Sequence, residues 1–231
     1  MLRAAGLETK RRILSVCVPM FLEKGYRAST VHKIVADAHT SVSGFQNIFN
    51  AKDGVLIDIS QAVFEGQFEA ARKYVGGDLP PVYAYALETS IQLTMTEMNE
   101  NLREIYVEAY SLPNTTNYIN EQATAEIQKI FSSYFPDFTA ANFYEMEIGS
   151  AGLMRAYMAK KCDIHFPFDI KLRRFLETSL RMYTVPEKEI QEVIDYILAQ
   201  DLKTIAADVI DKLFRHLEVT FDFKLEPKEN S

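Results

Sequence analysis

Residue types that do covalent or metal chemistry are sparse in this 231-residue chain. Cys162-Asp163-Ile164-His165 brings a thiol, a carboxylate and an imidazole together, but two ligands without a nearby second pair fall short of a closed zinc site. Glu145 and Glu147 are two positions apart, a spacing that puts them on different faces of a helix. His32, His39 and His216 do not cluster. There is no phosphate-cradling glycine loop, nucleophile elbow or His-Glu-x-x-His pattern. The sequence therefore predicts no catalytic residue, no metal site and no cofactor; an enzyme would need a site assembled only by folding.

The polar groups that remain must be positioned by helices, since apolar spacings of three and four recur nearly everywhere and alternating strand patterns are scarce. Ile13, Val16, Cys17 and Met20 share one face of a first helix that Gly25 ends. Pro19 lies inside it, removes the hydrogen bond to the Ser15 carbonyl, and predicts either a bend or a later start. Thr30 caps a second helix carrying Val31, Ile34, Val35 and Ala38, and Ser41 caps a third in which Phe45 and Phe49 share a buried face. A short turn at His39-Thr40 between them gives a helix-turn-helix layout. From Lys52-Asp53-Gly54 a long amphipathic helix is expected to about Val75, followed by a break at Gly76-Gly77-Asp78-Leu79-Pro80-Pro81. Beyond it the prolines predict helices near 81–101, 103–112, 115–135, 140–160, 169–184 and 187–217, the last with an interruption. The expected fold is all-α, with a helix-turn-helix domain over 1–54 joined by a long helix to a helical domain over 55–231.

Bulk composition bounds the function. With 48% hydrophobic residues the chain can bury a core, and nothing approaches an uninterrupted apolar span, so no membrane partner is expected. Lys10, Arg11 and Arg12 precede an apolar stretch, Ile13 to Leu22, but it runs into Glu23-Lys24-Gly25 rather than a cleavage site. Cys17 and Cys162 lie far apart and fit a reducing cytoplasm. The total charge is −7, yet residues 1–52 hold eight Lys or Arg against three acids, a net +5 that leaves −12 for the remainder. A basic end on an acidic body confines polyanion contact to one face.

Residues 13–56, with Phe21-Leu22-Glu23-Lys24-Gly25-Tyr26 closing the first helix, Thr30-Val31 opening the second, Ile34 and Ala38 within it, and Phe49 followed by Lys52, resemble the N-terminal region of TetR family transcriptional regulators. The resemblance implies a homodimer on a palindromic operator in double-stranded DNA, and a helical C-terminal region that binds a small effector. Thr30, Ser41 and Lys52 would meet phosphates, and Ser43, Gln46 and Asn47 would reach base edges, with Val42 on a thymine methyl. The chain departs from the family pattern at His39, where a turn glycine is common, at Gln46, where a backbone-contacting tyrosine is common, and at Val42, a usual lysine position. These departures support an alternative, a helical interaction module that has lost operator binding.

In the body, Tyr83, Tyr106, Tyr110, Phe131, Tyr134, Phe143, Met146 and Tyr157 are candidates to line a mostly apolar pocket for a small effector. By the same resemblance late helices would pair across a two-fold axis, with Gly149 and Gly152 allowing close approach and Leu153, Met154 and Tyr157 supplying apolar contact. The expected activity is a cytoplasmic repressor released by a small molecule.

Overall fold

A computed structural model of the chain describes residues 4–64, 67–75 and 79–225. Among these the fold is all-α: α1 (Ala4–Lys24), α2 (Val31–Asp37), α3 (Val42–Phe49), α4 (Gly54–Phe64), α5 (Gln67–Val75), α6 (Pro81–Met98), α7 (Glu100–Ala109), α8 (Pro113–Phe131), α9 (Ala140–Ala159), α10 (Phe168–Met182), α11 (Glu187–Leu198) and α12 (Leu202–Phe221). A single 3-10 turn, Ser132–Tyr134, follows α8.

α1 starts well before Ile13 and runs through Pro19 to Lys24 as one helix. Pro19 is tolerated because its neighbours Cys17, Val18, Met20 and Phe21 are all buried, so packing outweighs one lost backbone hydrogen bond. Gly25 ends the helix at φ 90°, its N–H donating to the Phe21 carbonyl at 3.0 Å, the left-handed geometry that glycine adopts without penalty. The helix expected from 54 to about 75 is seen as α4 and α5; residues 65–66 and the Gly76-Gly77-Asp78 break lie outside the described residues, as does the tail 226–231. The expected interruption of the last helix falls at Ala199–Asp201, where the Asp201 carboxylate accepts the Thr204 N–H at 3.2 Å and caps α12.

α6 is the axis of the body. Val82 and every residue from Ala84 to Thr96 are buried, because α5, α7, α8, α9, α10, α11 and α12 all pack against it. A helix without a solvent face must direct its polar side chains at protein. α6 carries Glu88, Thr89, Gln92 and Thr94 in that enclosed stretch. Below it, fully buried Lys171 donates to Glu97 Oε1 at 2.5 Å and to the Lys160 carbonyl at 2.6 Å. Arg103 bridges Glu97 and Glu100.

Candidate nucleic-acid interface and interior cavity

The exposed face of α3 follows from its pitch. Phe45 and Phe49 are 0% and 6% exposed and pack ring to ring at 5.2 Å, which turns Ser43, Gln46 and Asn47 outward. Ser41 Oγ accepts the Gly44 N–H at 3.0 Å and lies 3.0 Å from Ser43 Oγ, so the two hydroxyls form a pair at the start of the helix. Val42 is half-buried against the core. Thr30 is exposed and caps α2, accepting the Lys33 N–H at 3.3 Å. Between α2 and α3, His39 takes φ 47°; its N–H donates to Ala36 O at 3.2 Å and that of Thr40 to Val35 O at 2.9 Å. This is a Schellman turn closed by a residue with a Cβ. The turn geometry that a glycine usually supplies is therefore present with His39.

Several cations of the basic end are committed to protein. The Lys52 ammonium donates to the carbonyls of Tyr26 at 2.7 Å and Ser29 at 3.0 Å and lies 3.9 Å from the centre of the Tyr26 ring. Burial lowers its pKa against the opposing pull of Glu108 and Glu104. Expected at a phosphate, Lys52 instead ties the end of α3 to the turn after α1. Lys10 pairs with Asp58 at 2.6 Å and Arg27 with Glu108 at 3.0 Å. Arg11, Arg12, Lys24 and Lys33 are exposed.

α7 of the body grips the same turn. Asn101 Nδ2 donates to Leu22 O at 2.9 Å, and Glu104 Oε2 accepts the Arg27 N–H at 3.1 Å. At the other joint, a Cβ on Gly54 would lie 2.1 Å from the Phe49 carbonyl oxygen, so only glycine fits where α4 begins.

The body holds a small cavity of about 30 Å³ beside α6, between α8, α9 and α10. Its polar wall is formed by Glu88, Gln92, Glu147, Ser150, Tyr85 and Tyr110. Glu88 and Glu147 are 2% and 5% exposed. Burial raises Glu88 to about 7 despite a hydrogen bond from the Gln92 amide. Burial raises Glu147 to about 8, with the Glu88 charge adding to it and the Tyr183 hydroxyl, 3.4 Å away, opposing. The Gln92 carbonyl oxygen is buried without a hydrogen-bond partner. A second, mostly apolar cavity, also about 30 Å³, includes Ile59, Val63, Tyr106 and Tyr110 where α4 meets the body.

Of the eight candidates for a pocket, Tyr110 lines both cavities and Tyr106 the second. The others pack elsewhere. Phe131 stacks on Tyr183 at 4.0 Å, Tyr83 meets Tyr196 edge-on at 5.2 Å, and Tyr134 donates to Glu189 at 2.8 Å. Phe143 packs against Phe135 and Phe138, and Tyr157 against Phe175 and Phe166. Met146 is half-buried against the core. Glu88, Gln92 and Glu147 were not anticipated, although Glu88 is the one charged residue between Pro80 and Thr96, a visible signal in an otherwise uncharged run.

On α9, Gly149 and Gly152 are exposed, and a Cβ at Gly152 would meet nothing within 4 Å. Ile148 is 52% exposed beside them. Met154, expected in a subunit contact, is 4% exposed and lines the cavity instead; Leu153 and Tyr157 are half-buried against the protein's own core. The Cys162–His165 segment is a turn: Asp163 Oδ1 accepts the N–H groups of His165 and Phe166, each at 2.9 Å.

No family model matches the chain, and no curated protein matches it. Solved structures similar to it include the following two. Both bear the description of a crystal structure of a gamma-butyrolactone receptor (ArpA-like protein). One is 14% identical, with 91% of this chain and 100% of that chain covered and a TM-score of 0.43. The other is 14% identical, with 78% and 98% covered and a TM-score of 0.40.

Proposed function

We propose that this protein is a sequence-specific DNA-binding transcriptional regulator, a cytoplasmic homodimeric repressor released by a small effector. The observation that carries the reading is the face of α3: Ser43, Gln46 and Asn47 point outward from a helix anchored by Phe45 and Phe49, capped by Ser41 and joined to α2 by a Schellman turn. That arrangement leaves two amide side chains, each able to pair bidentately with adenine, exposed on one helix. The resemblance of residues 13–56 to TetR family regulators supports it. The exposed small-residue face of α9 around Ile148, Gly149 and Gly152 is the surface proposed for pairing two copies. The cavity beside α6 is the site proposed for the effector. Its polar wall makes the guest less apolar than the aromatic content of the body suggested.

Binding of the purified protein to a pool of random duplexes at two salt concentrations tests this. Enrichment of a palindromic sequence, with affinity falling as salt rises, is expected. Absence of enrichment from folded dimer at low salt removes the reading. A second reading, a helical interaction module without an operator, is favoured by one observation: Lys10, Arg27 and Lys52 are turned toward Asp58, Glu108 and backbone carbonyls. The same experiment separates the two.

A further inference from the structure

The cavity beside α6 has a particular imbalance of charge and hydrogen bonding. Two carboxyl groups, Glu88 and Glu147, lie on its wall; burial and the Gln92 amide act on Glu88, and burial, the Tyr183 hydroxyl, Glu88 and Ser150 act on Glu147, with no cation among them. The cationic side chains buried nearby are engaged elsewhere: Lys171 with Glu97 and the Lys160 carbonyl, Arg103 with Glu97 and Glu100. The wall also has one acceptor left over. Gln92 uses its amide nitrogen on Glu88, and its carbonyl oxygen, on a side chain 5% exposed, is left without a partner. Tyr85 and Ser150 face each other at 3.4 Å.

A guest that completes this wall must donate hydrogen bonds and must carry positive charge once a carboxylate forms. We propose that the cavity binds a small organic ammonium ion, its nitrogen held by Glu88, Glu147 and the Gln92 carbonyl and its short apolar tail against Met154 and Phe175. Tyr85 and Tyr110 also line the cavity. A space of about 30 Å³ has room for no more than one or two water-sized groups, so the tail enters by displacing side chains, for which the flexible Met154 is suited. The ammonium arrives charged, and each carboxyl that ionises against it gives its proton to solvent. This inference deepens the reading of the body as an effector-binding region, yet it is measured without DNA, so it fails or stands separately from operator binding.

The test uses the full chain without DNA. Methylamine, n-butylamine and benzylamine are compared with 1-butanol, benzyl alcohol and benzoate by thermal shift and by calorimetry in two buffers of different ionisation enthalpy. At least one amine is expected to raise the melting temperature, to bind about tenfold or more tightly than its alcohol, and to release protons near pH 7. Glu147→Gln and Glu88→Gln are expected to lose that preference while remaining folded. Gln92→Leu, which removes the acceptor and leaves both carboxyls, is expected to weaken it. Amines no better than alcohols, or a folded Glu88→Gln/Glu147→Gln double variant that binds amine unchanged, overturn the proposal.

Discussion

Glu104 Oε2 accepts the backbone N–H of Arg27 at 3.1 Å, across the boundary between the helix-turn-helix and the body. The neighbouring Glu108–Arg27 side-chain pair is exposed at the arginine, 65%, and is a weak contributor for that reason. Glu104→Ala is expected to destabilise the turn after α1 by about 1 kcal/mol and Glu108→Ala by less than about 0.5 kcal/mol. Hydrogen exchange at the Arg27 amide and its neighbours reads the difference; equal protection in both variants contradicts it.

His39 spends left-handed strain in a turn that a glycine closes without it. Replacement by glycine is expected to stabilise the protein by roughly 0.5–1 kcal/mol, the relief of strain exceeding the added chain entropy. A rise in the denaturant midpoint with an unchanged slope is the outcome to look for.

Gly54→Ala forces a methyl to within 2.1 Å of the Phe49 carbonyl oxygen. Backbone on both sides leaves no rotamer to escape into, so a loss of about 2 kcal/mol or more is expected in thermal unfolding. A loss below about 0.5 kcal/mol would mean that the joint yields.

The buried carboxyls set a pH dependence. Glu88 at about 7 and Glu147 at about 8 both stand above the ordinary 4.5, so the folded chain holds protons that the unfolded chain has lost. Their contribution to stability is complete below about pH 4.5, declines as pH rises toward 8, and is flat beyond. Taken together the two shifts correspond to a decline on the order of 8 kcal/mol. The Glu88→Gln/Glu147→Gln double variant is expected to lack that slope and to be more stable than the parent at pH 9; parallel stability curves for the two proteins would refute this.

Glu97 is the shared partner of fully buried Lys171 and nearly buried Arg103. Burial pushes its carboxyl up, and the Lys171 ammonium, the Cys162 N–H and Arg103 together bring it below the usual carboxylate range. Glu97→Ala leaves buried Lys171 without a carboxylate and Arg103 with Glu100 alone, and is expected to cost about 3–5 kcal/mol. The companion change Lys171→Met, which removes a buried charge together with its need for a partner, is expected to cost clearly less in the same denaturant titration.

The helix-turn-helix was legible because its determinants are local. Phe45 and Phe49 are one turn apart, Thr30 and Ser41 cap the helices they precede, and Gly25 closes α1. The cavity was not, because Glu88 and Gln92 come from α6 and Glu147 from α9, and only packing brings them to one wall. Aromatic content misdirected the expectation: Phe131, Tyr83 and Phe143 satisfy one another or their neighbours as ring pairs, so abundance of rings marked core rather than a binding surface. Lys52 is expected at a phosphate from the sequence, where nothing shows that the Tyr26 and Ser29 carbonyls converge on its ammonium. Met154 likewise has the composition of a subunit contact and the location of a cavity wall.

The close approach at Gly54 also bears on how motion travels. With backbone against backbone between the end of α3 and the start of α4, there is no soft side chain to absorb displacement, and α4 lies in contact with α7, α8 and α12. A tilt of α4 therefore turns α3 with it, as one lever about a common pivot. If two such chains pair about a two-fold axis on DNA, as proposed, a few degrees at that pivot would change the span between their α3 helices, which successive major grooves would hold at about 34–36 Å, and rigidity at a single glycine would then set the gearing between the interior of the body and the groove.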